Sequence, residues 1–154
     1  MTFAILKSKS AYKNNEELQQ KFAEFKKLIA AMKKKKIPAE HIEEINAEIG
    51  LINNFDGDDS ALLKQYKNSL AGVISMLESK LSLTPKGYYR NKWMAIGIAL
   101  FGVVFGTILG TALDNMAFIA LGIPLGVGLG LAIGRVKDKK AFEKGNQLDI
   151  EIGK

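Results

Sequence analysis

The sequence has no cysteine, one histidine, one tryptophan and three prolines in 154 residues. Without cysteine there is no disulfide framework, no thiolate chemistry and no cysteine-bound metal. The lone histidine, His41, has no cysteine near it and is expected on an exposed helix face rather than in a catalytic or metal site. No GxGxxG follows a strand and no Walker-type GxxxxGK[ST] occurs, so phosphate-cradling loops are missing. A calcium loop opening at Asp56 would need glycine at 61 and glutamate at 67, where Ala61 and Lys67 stand. The segment from Asp56 to Ser60 therefore reads as a turn and helix cap. Charge is the scarcest commodity between residues 93 and 134, where Asp114 alone is ionisable. The near-zero mean hydropathy hides this division into a polar part and an apolar part.

Residues 1–92 carry 16 basic and 11 acidic side chains. The net charge of the whole chain is +6. Basic charge beside an apolar block points to anionic lipid headgroups rather than nucleic acid. The start of the chain has only a short apolar stretch, Phe3 to Leu6, too short for the core of a secretion signal. No cleaved signal is expected, and the first apolar span would itself direct insertion. The cytoplasmic (inner) membrane is the expected location.

Residues 1–13 form a basic, partly apolar arm. Asn14 or Asn15 can cap a helix reaching about Lys36, with a seam of Leu18, Phe22, Phe25, Ile29 and Met32. Lys33 to Lys36 suit its C-terminal end. Pro38 suits the start of a second helix, whose seam is Ile42, Ile45, Ile49 and Ile52. Asn53 to Gly57 is a turn cluster. Asp58, Asp59 or Ser60 can cap a third helix with Leu63, Tyr66, Leu70, Val73, Leu77 and Leu81 along one side. Spacings of three and four throughout resemble coiled-coil seams and predict a cytoplasmic bundle of about three helices over residues 14–84. Thr84 to Gly87 breaks the third helix, and residues 85–92 read as a juxtamembrane linker.

Two uncharged stretches follow. Trp93 to Leu113 spans 21 residues, roughly 31 Å as a helix at about 1.5 Å per residue. Met116 to Gly134 spans 19, roughly 28 Å. The fold class is therefore an all-α membrane protein: the helical module, a two-helix hairpin over 93–134, and a short cytoplasmic tail over 135–154. Lys86, Arg90 and Lys92 precede the first span, and Arg135, Lys137, Lys139 and Lys140 follow the second. The turn between them carries no positive charge, so both termini are expected in the cytoplasm. Tyr88, Tyr89 and Trp93 suit an interfacial aromatic belt on the same side.

Glycine recurs at every fourth position in both spans: Gly102, Gly106 and Gly110 in the first, Gly122, Gly126, Gly130 and Gly134 in the second. Ala95 and Ala99 are expected to extend the first face. In lipid, helices associate by close backbone contact, which small residues at this spacing permit. A second stripe, Ala117, Ala120, Pro124, Gly128 and Ala132, points away from the first. At 100° per residue Gly126 and Gly128 lie about 200° apart. One face would pack within the hairpin. The other, through Pro124, Gly128 and Ala132, offers an interface to another protomer. Pro124 should bend its helix or loosen one turn.

The stretch from Leu100 through DKKAFEKGNQLDIEI resembles small bacterial glycine-zipper membrane proteins. In particular it is similar to a two-span group of Bacteroidetes-type bacteria, over about residues 92–152. That resemblance implies architecture and location, and no activity.

The lysines at 26, 27 and 33–36 read first as a solvated helix end and next as a membrane-surface contact. Nucleic-acid binding ranks last, since no aromatic platform supports it. Leu148, Asp149, Ile150, Glu151 and Ile152 alternate as a strand does. Such a strand could add to an edge on another protein or simply fray.

The expected function is non-enzymatic: a glycine-rich hairpin that anchors and assembles a helical module, as a scaffold or accessory subunit of a membrane complex. The expected partners are the lipid bilayer with its anionic headgroups, and further copies or another membrane protein, without cofactors. The alternative is a homo-oligomeric pore: a channel, a holin-like protein or a permeabilising toxin. Thr107 and Thr111 are the only polar side chains within the spans apart from the turn, so such a pore would be hydrophobically gated. A rotary-ring subunit would need a carboxylate within a span, and none is present.

Overall fold

The computed structural model describes residues 2–8, 15–115 and 117–153. Asn14 as a cap, Met116 as the start of the second span, residues 9–13 of the arm and Lys154 lie outside the described residues. The chain divides into two units: residues 1–84 with 148–150, and residues 85–147 with 151–154. Five helices and two short strands make up the described secondary structure.

The first unit holds α1 (Glu16–Met32), α2 (Ala39–Asn53) and α3 (Asp59–Leu81). Asn15 caps α1, its side chain accepting from Leu18 N at 3.2 Å. Asp58 caps α3, its carboxylate accepting from Ala61 N at 2.7 Å. Both fill the side-chain oxygen role that orphan N–H groups of a first turn require. α3 packs against both α1 and α2. Phe25 and Tyr66 meet edge to face with ring centroids 6.3 Å apart. Ile42, Ile45, Ile49 and Ile52 are all buried.

Several details differ from the sequence expectation. α1 stops at Met32, and Lys34 and Lys35 close tighter turns onto Ala31 and Met32. In α1, Leu28 is buried while Phe22 is half-exposed, and in α3, Leu62 is buried while Leu63 and Leu81 are half-exposed. A straight α-helix has 3.6 residues per turn, not 3.5, so the buried stripe drifts off a strict heptad seam. His41 is not on an exposed face. It is 9% exposed, with its ring nitrogens 3.3 Å from Glu44 and 3.4 Å from Glu40.

The second unit is built on two long helices, α4 (Tyr88–Ala112) and α5 (Ala117–Glu143). Both are long and apolar enough to cross a membrane. α4 begins at Tyr88, so Tyr88 to Lys92 of the expected juxtamembrane stretch are helical. Gly87, with φ of 71°, turns the chain into the helix. α5 continues through Pro124 and runs nine residues past Gly134, which puts Arg135, Lys137, Lys139 and Lys140 on the helix. Asp114, in the left-handed region at φ 49°, ends α4. Asn115 N donates to Gly110 O across it at 2.8 Å. The side chain of Asn115 then accepts from Ala117 N at 3.0 Å and opens α5. The polar pair at the tip thus makes the turn.

β1 (Thr84–Lys86) and β2 (Gln147–Glu151) pair in a two-stranded sheet. The tail strand therefore has its partner edge in its own chain, and strand addition to another protein is not needed to satisfy it. Leu148 and Ile150 are buried and cluster with the first unit.

Candidate functional site

The apolar hairpin and the charged side chains at its open end form the most distinctive site. Its contact is made of backbone. A Cβ built on Gly122 would collide with Gly102 O and reach Gly106 Cα at 3.2 Å. One on Gly126 would meet Gly97 O, with Gly102 N at 2.9 Å. One on Gly130 would meet Trp93 O and lie 2.8 Å from Met94 Cα. One on Gly134 would lie 2.5 Å from Arg90 Cα. Gly102, Gly106 and Gly110 are buried on the α4 side. Four successive helical turns thus touch without intervening side chains.

On α4 the contact continues to Gly97, while Ala95 and Ala99 are exposed. The reason lies in the middle of α4. Residues Ile98–Phe105 form a π-helical segment, whose wider turn absorbs one extra residue. Gly97 and Gly102, five apart, therefore share a face that a regular α-helix would give only to residues three or four apart. Sequence spacing at four could not find Gly97, because it assumes a uniform helix.

The every-fourth run on α5 does not end in glycine. One turn past Gly134 comes Asp138, whose two carboxylate oxygens accept from Tyr89 N and Arg90 N, each at 3.0 Å. Gly87 offers no side-chain cap to α4, so a residue of the neighbouring helix supplies it. The carboxylate also sits at the positive end of the α4 dipole. Sequence spacing alone does not single out Asp138, though its place four residues past Gly134, in the run from Gly122, marks it.

Around this cap the other charged and aromatic residues of the open end form a collar. Lys137 Nζ lies 5.0 Å from the Trp93 ring centroid and 5.8 Å from that of Tyr89. Tyr88 and Tyr89 pack edge to face at 5.3 Å, and Lys92 Nζ is 5.3 Å from the Tyr88 ring. Arg90 reaches Glu151 at 3.0 Å. Lys86, Arg135, Lys139 and Lys140 are exposed, with Lys139 3.8 Å from Glu143. Ammonium groups over aromatic faces suit a boundary that is apolar on one side and wet on the other.

Away from this collar the hairpin presents apolar side chains. Leu113, Leu121 and Leu125 are 57%, 62% and 67% exposed. Thr107 Oγ1 donates to Val103 O at 2.7 Å, and Thr111 Oγ1 to Thr107 O at 3.0 Å, so both hydroxyls return to their own helix. Pro124, Gly128 and Ala132 are exposed, and a Cβ at Gly128 would meet nothing within 4 Å.

Among the described residues no group of three or more His, Asp or Glu side chains could hold a metal ion. In the first unit Lys80 Nζ contacts both carboxylate oxygens of Glu44, at 2.8 and 2.9 Å. That hydrogen bonding, aided by His41, holds the Glu44 carboxyl below its ordinary value. Comparison with family models, curated proteins and solved structures finds no match to this chain, so its function has to be read from its own residues.

Proposed function

We propose that the chain is a non-enzymatic integral membrane protein in which the α4–α5 hairpin anchors a cytoplasmic helical module, as a scaffold or accessory subunit of a membrane complex. The observation that carries this is the outward face of the hairpin. Only 22% of each apolar window is buried, where a core helix of a soluble protein would be mostly covered. Large exposed apolar surface is stable in lipid and a liability in water.

The orientation follows from charge. The collar residues Lys86, Arg90, Lys92, Arg135, Lys137, Lys139 and Lys140 belong to the open end of the hairpin, and the Asp114–Asn115 tip has no cation. Cytoplasmic retention of lysine and arginine puts the collar, the module and both termini inside. The collar then meets anionic headgroups, each nearby cation contributing about 1 kcal/mol. The open small-residue face of Pro124, Gly128 and Ala132 is where a second copy or another membrane protein would approach. Hydroxyls of Thr107 and Thr111 that bond to their own backbone favour an anchor over a water-filled pore.

Alkaline extraction of membranes and single-cysteine labelling test this reading. The chain should stay with the membrane at high pH. A cysteine at Asn115 should react with an impermeant maleimide from outside the cell, and one at Lys7 or Lys144 only after lysis. Release of the chain by alkali, or external labelling at Lys7, would refute it.

A further inference from the structure

The segment Thr2 to Ser8 enters neither helix nor sheet, yet it is held along α2 by two side-chain amides. Asn46 accepts from Ala4 N at 2.6 Å and donates to Thr2 O at 3.0 Å. Asn53 accepts from Lys7 N at 2.8 Å and donates to Ile5 O at 2.9 Å. Each amide thus brackets one residue of the segment, Phe3 and Leu6. The two amides are seven residues apart on α2, about 10.5 Å at 1.5 Å per residue. Three residues of extended chain cover about the same distance, at 3.1–3.4 Å each. The register of helix and peptide match, and the grip is on main chain, which every residue but proline can offer.

We infer that this face of α2 is a peptide-binding groove, that residues 2–8 occupy it in cis, and that its exchangeable ligand is an extended segment of a partner protein. Its selectivity is set by what the bracketed positions face. Leu6 is 8% exposed, whereas Ile5 between the brackets is 83% exposed. A cleft of about 480 Å³ lies at the Phe3 end, lined in part by Lys33 and Lys36, and none of its described lining residues is acidic. The fitting ligand therefore has an aromatic residue, an aliphatic residue three positions later, and carboxylates ahead of the aromatic. The resident arm has the first two features and, with Lys7 as its one charge in the described segment, lacks the third. A ligand with all three displaces it. The inference stands whether or not the hairpin sits in lipid.

The test uses the full chain in detergent micelles. The probe is a fluorescent peptide with the sequence from Thr2 to Ser8, preceded by two glutamates. Saturating peptide should speed hydrogen exchange at the Ala4 and Lys7 amides, which it strips from Asn46 and Asn53. Leu6→Asp in the chain should free the groove and tighten peptide binding about tenfold. Adding Asn46→Ala and Asn53→Ala to that variant should weaken it again by at least about tenfold, the scale of two to four lost hydrogen bonds. Lys33→Glu with Lys36→Glu should abolish the preference for the glutamate-bearing peptide over the plain arm sequence. Unchanged exchange at Ala4 and Lys7 under saturating peptide would overturn the inference, even if the variants fail to fold. So would undiminished binding after loss of both asparagines. A concentration-dependent dimer that Leu6→Asp dissolves would assign the groove to the arm of a second copy and equally overturn the partner-peptide reading.

Discussion

Gly126 and Gly128 provide a matched pair for measuring what backbone contact contributes to the hairpin. They lie two residues apart on α5, at nearly the same depth, and glycine-to-alanine has the same intrinsic helix benefit at both, up to about 1 kcal/mol. Their surroundings differ completely. A methyl at Gly128 enters open space, while one at Gly126 strikes the Gly97 carbonyl and lies 2.9 Å from Gly102 N. Ordinary contact needs about 3.5–4.0 Å, so α4 and α5 must part by roughly 1 Å. A gap of that size forfeits about a quarter to a half of each dispersion contact along the seam. Overpacking of this kind costs about 1–3 kcal/mol. Gly126→Ala should therefore be less stable than Gly128→Ala by that amount, roughly 5- to 150-fold in the folding equilibrium. Reversible unfolding in mixed micelles, followed by energy transfer between dyes at the tip and at the collar, reads this difference. Equal stabilities within about 0.5 kcal/mol would refute the argument that the α4–α5 contact is limited by side-chain volume.

Deleting Leu100, an exposed residue of the π-helical segment, should be tolerated in the same unfolding assay, because Gly97 and Gly102 then fall four apart on a regular helix. Asp138→Ala removes two hydrogen bonds from the first turn of α4 and should cost about 1 kcal/mol, within the 0.5–2 kcal/mol range of N-cap losses, with Asp138→Asn retaining part of it. The Glu44–Lys80 pair makes a pH-dependent prediction. Because the Glu44 carboxyl is held below its ordinary value of 4.5, its contribution to stability is present above that pH and is lost as pH falls through the lower folded-state value. Lys80→Met should lower the helical melting temperature of the first unit at pH 7, and the gap to the parent should shrink below pH 4.5. A gap that widened on acidification would contradict the assigned sign.

Much of the architecture is legible from residue order because its causes are local. The caps at Asn15 and Asp58, the isoleucine stripe of α2 and the two charge-free stretches each follow from neighbours a few positions away. The glycine spacing is of the same kind, since a helix converts every fourth residue into one face. Tertiary structure decided what depends on residues far apart. Gly97 joins the seam only because the helix widens between it and Gly102. Asp138 becomes a cap only because α5 brings it to the bare amides of Tyr89 and Arg90, 48–49 residues away. The tail strand finds β1, and Asn46 and Asn53 find the arm, across separations at which hydropathy carries no pairing information. Periodicity sets which face of an element is apolar. Which backbone groups remain unpaired, and which distant side chain satisfies them, is fixed only when the elements meet.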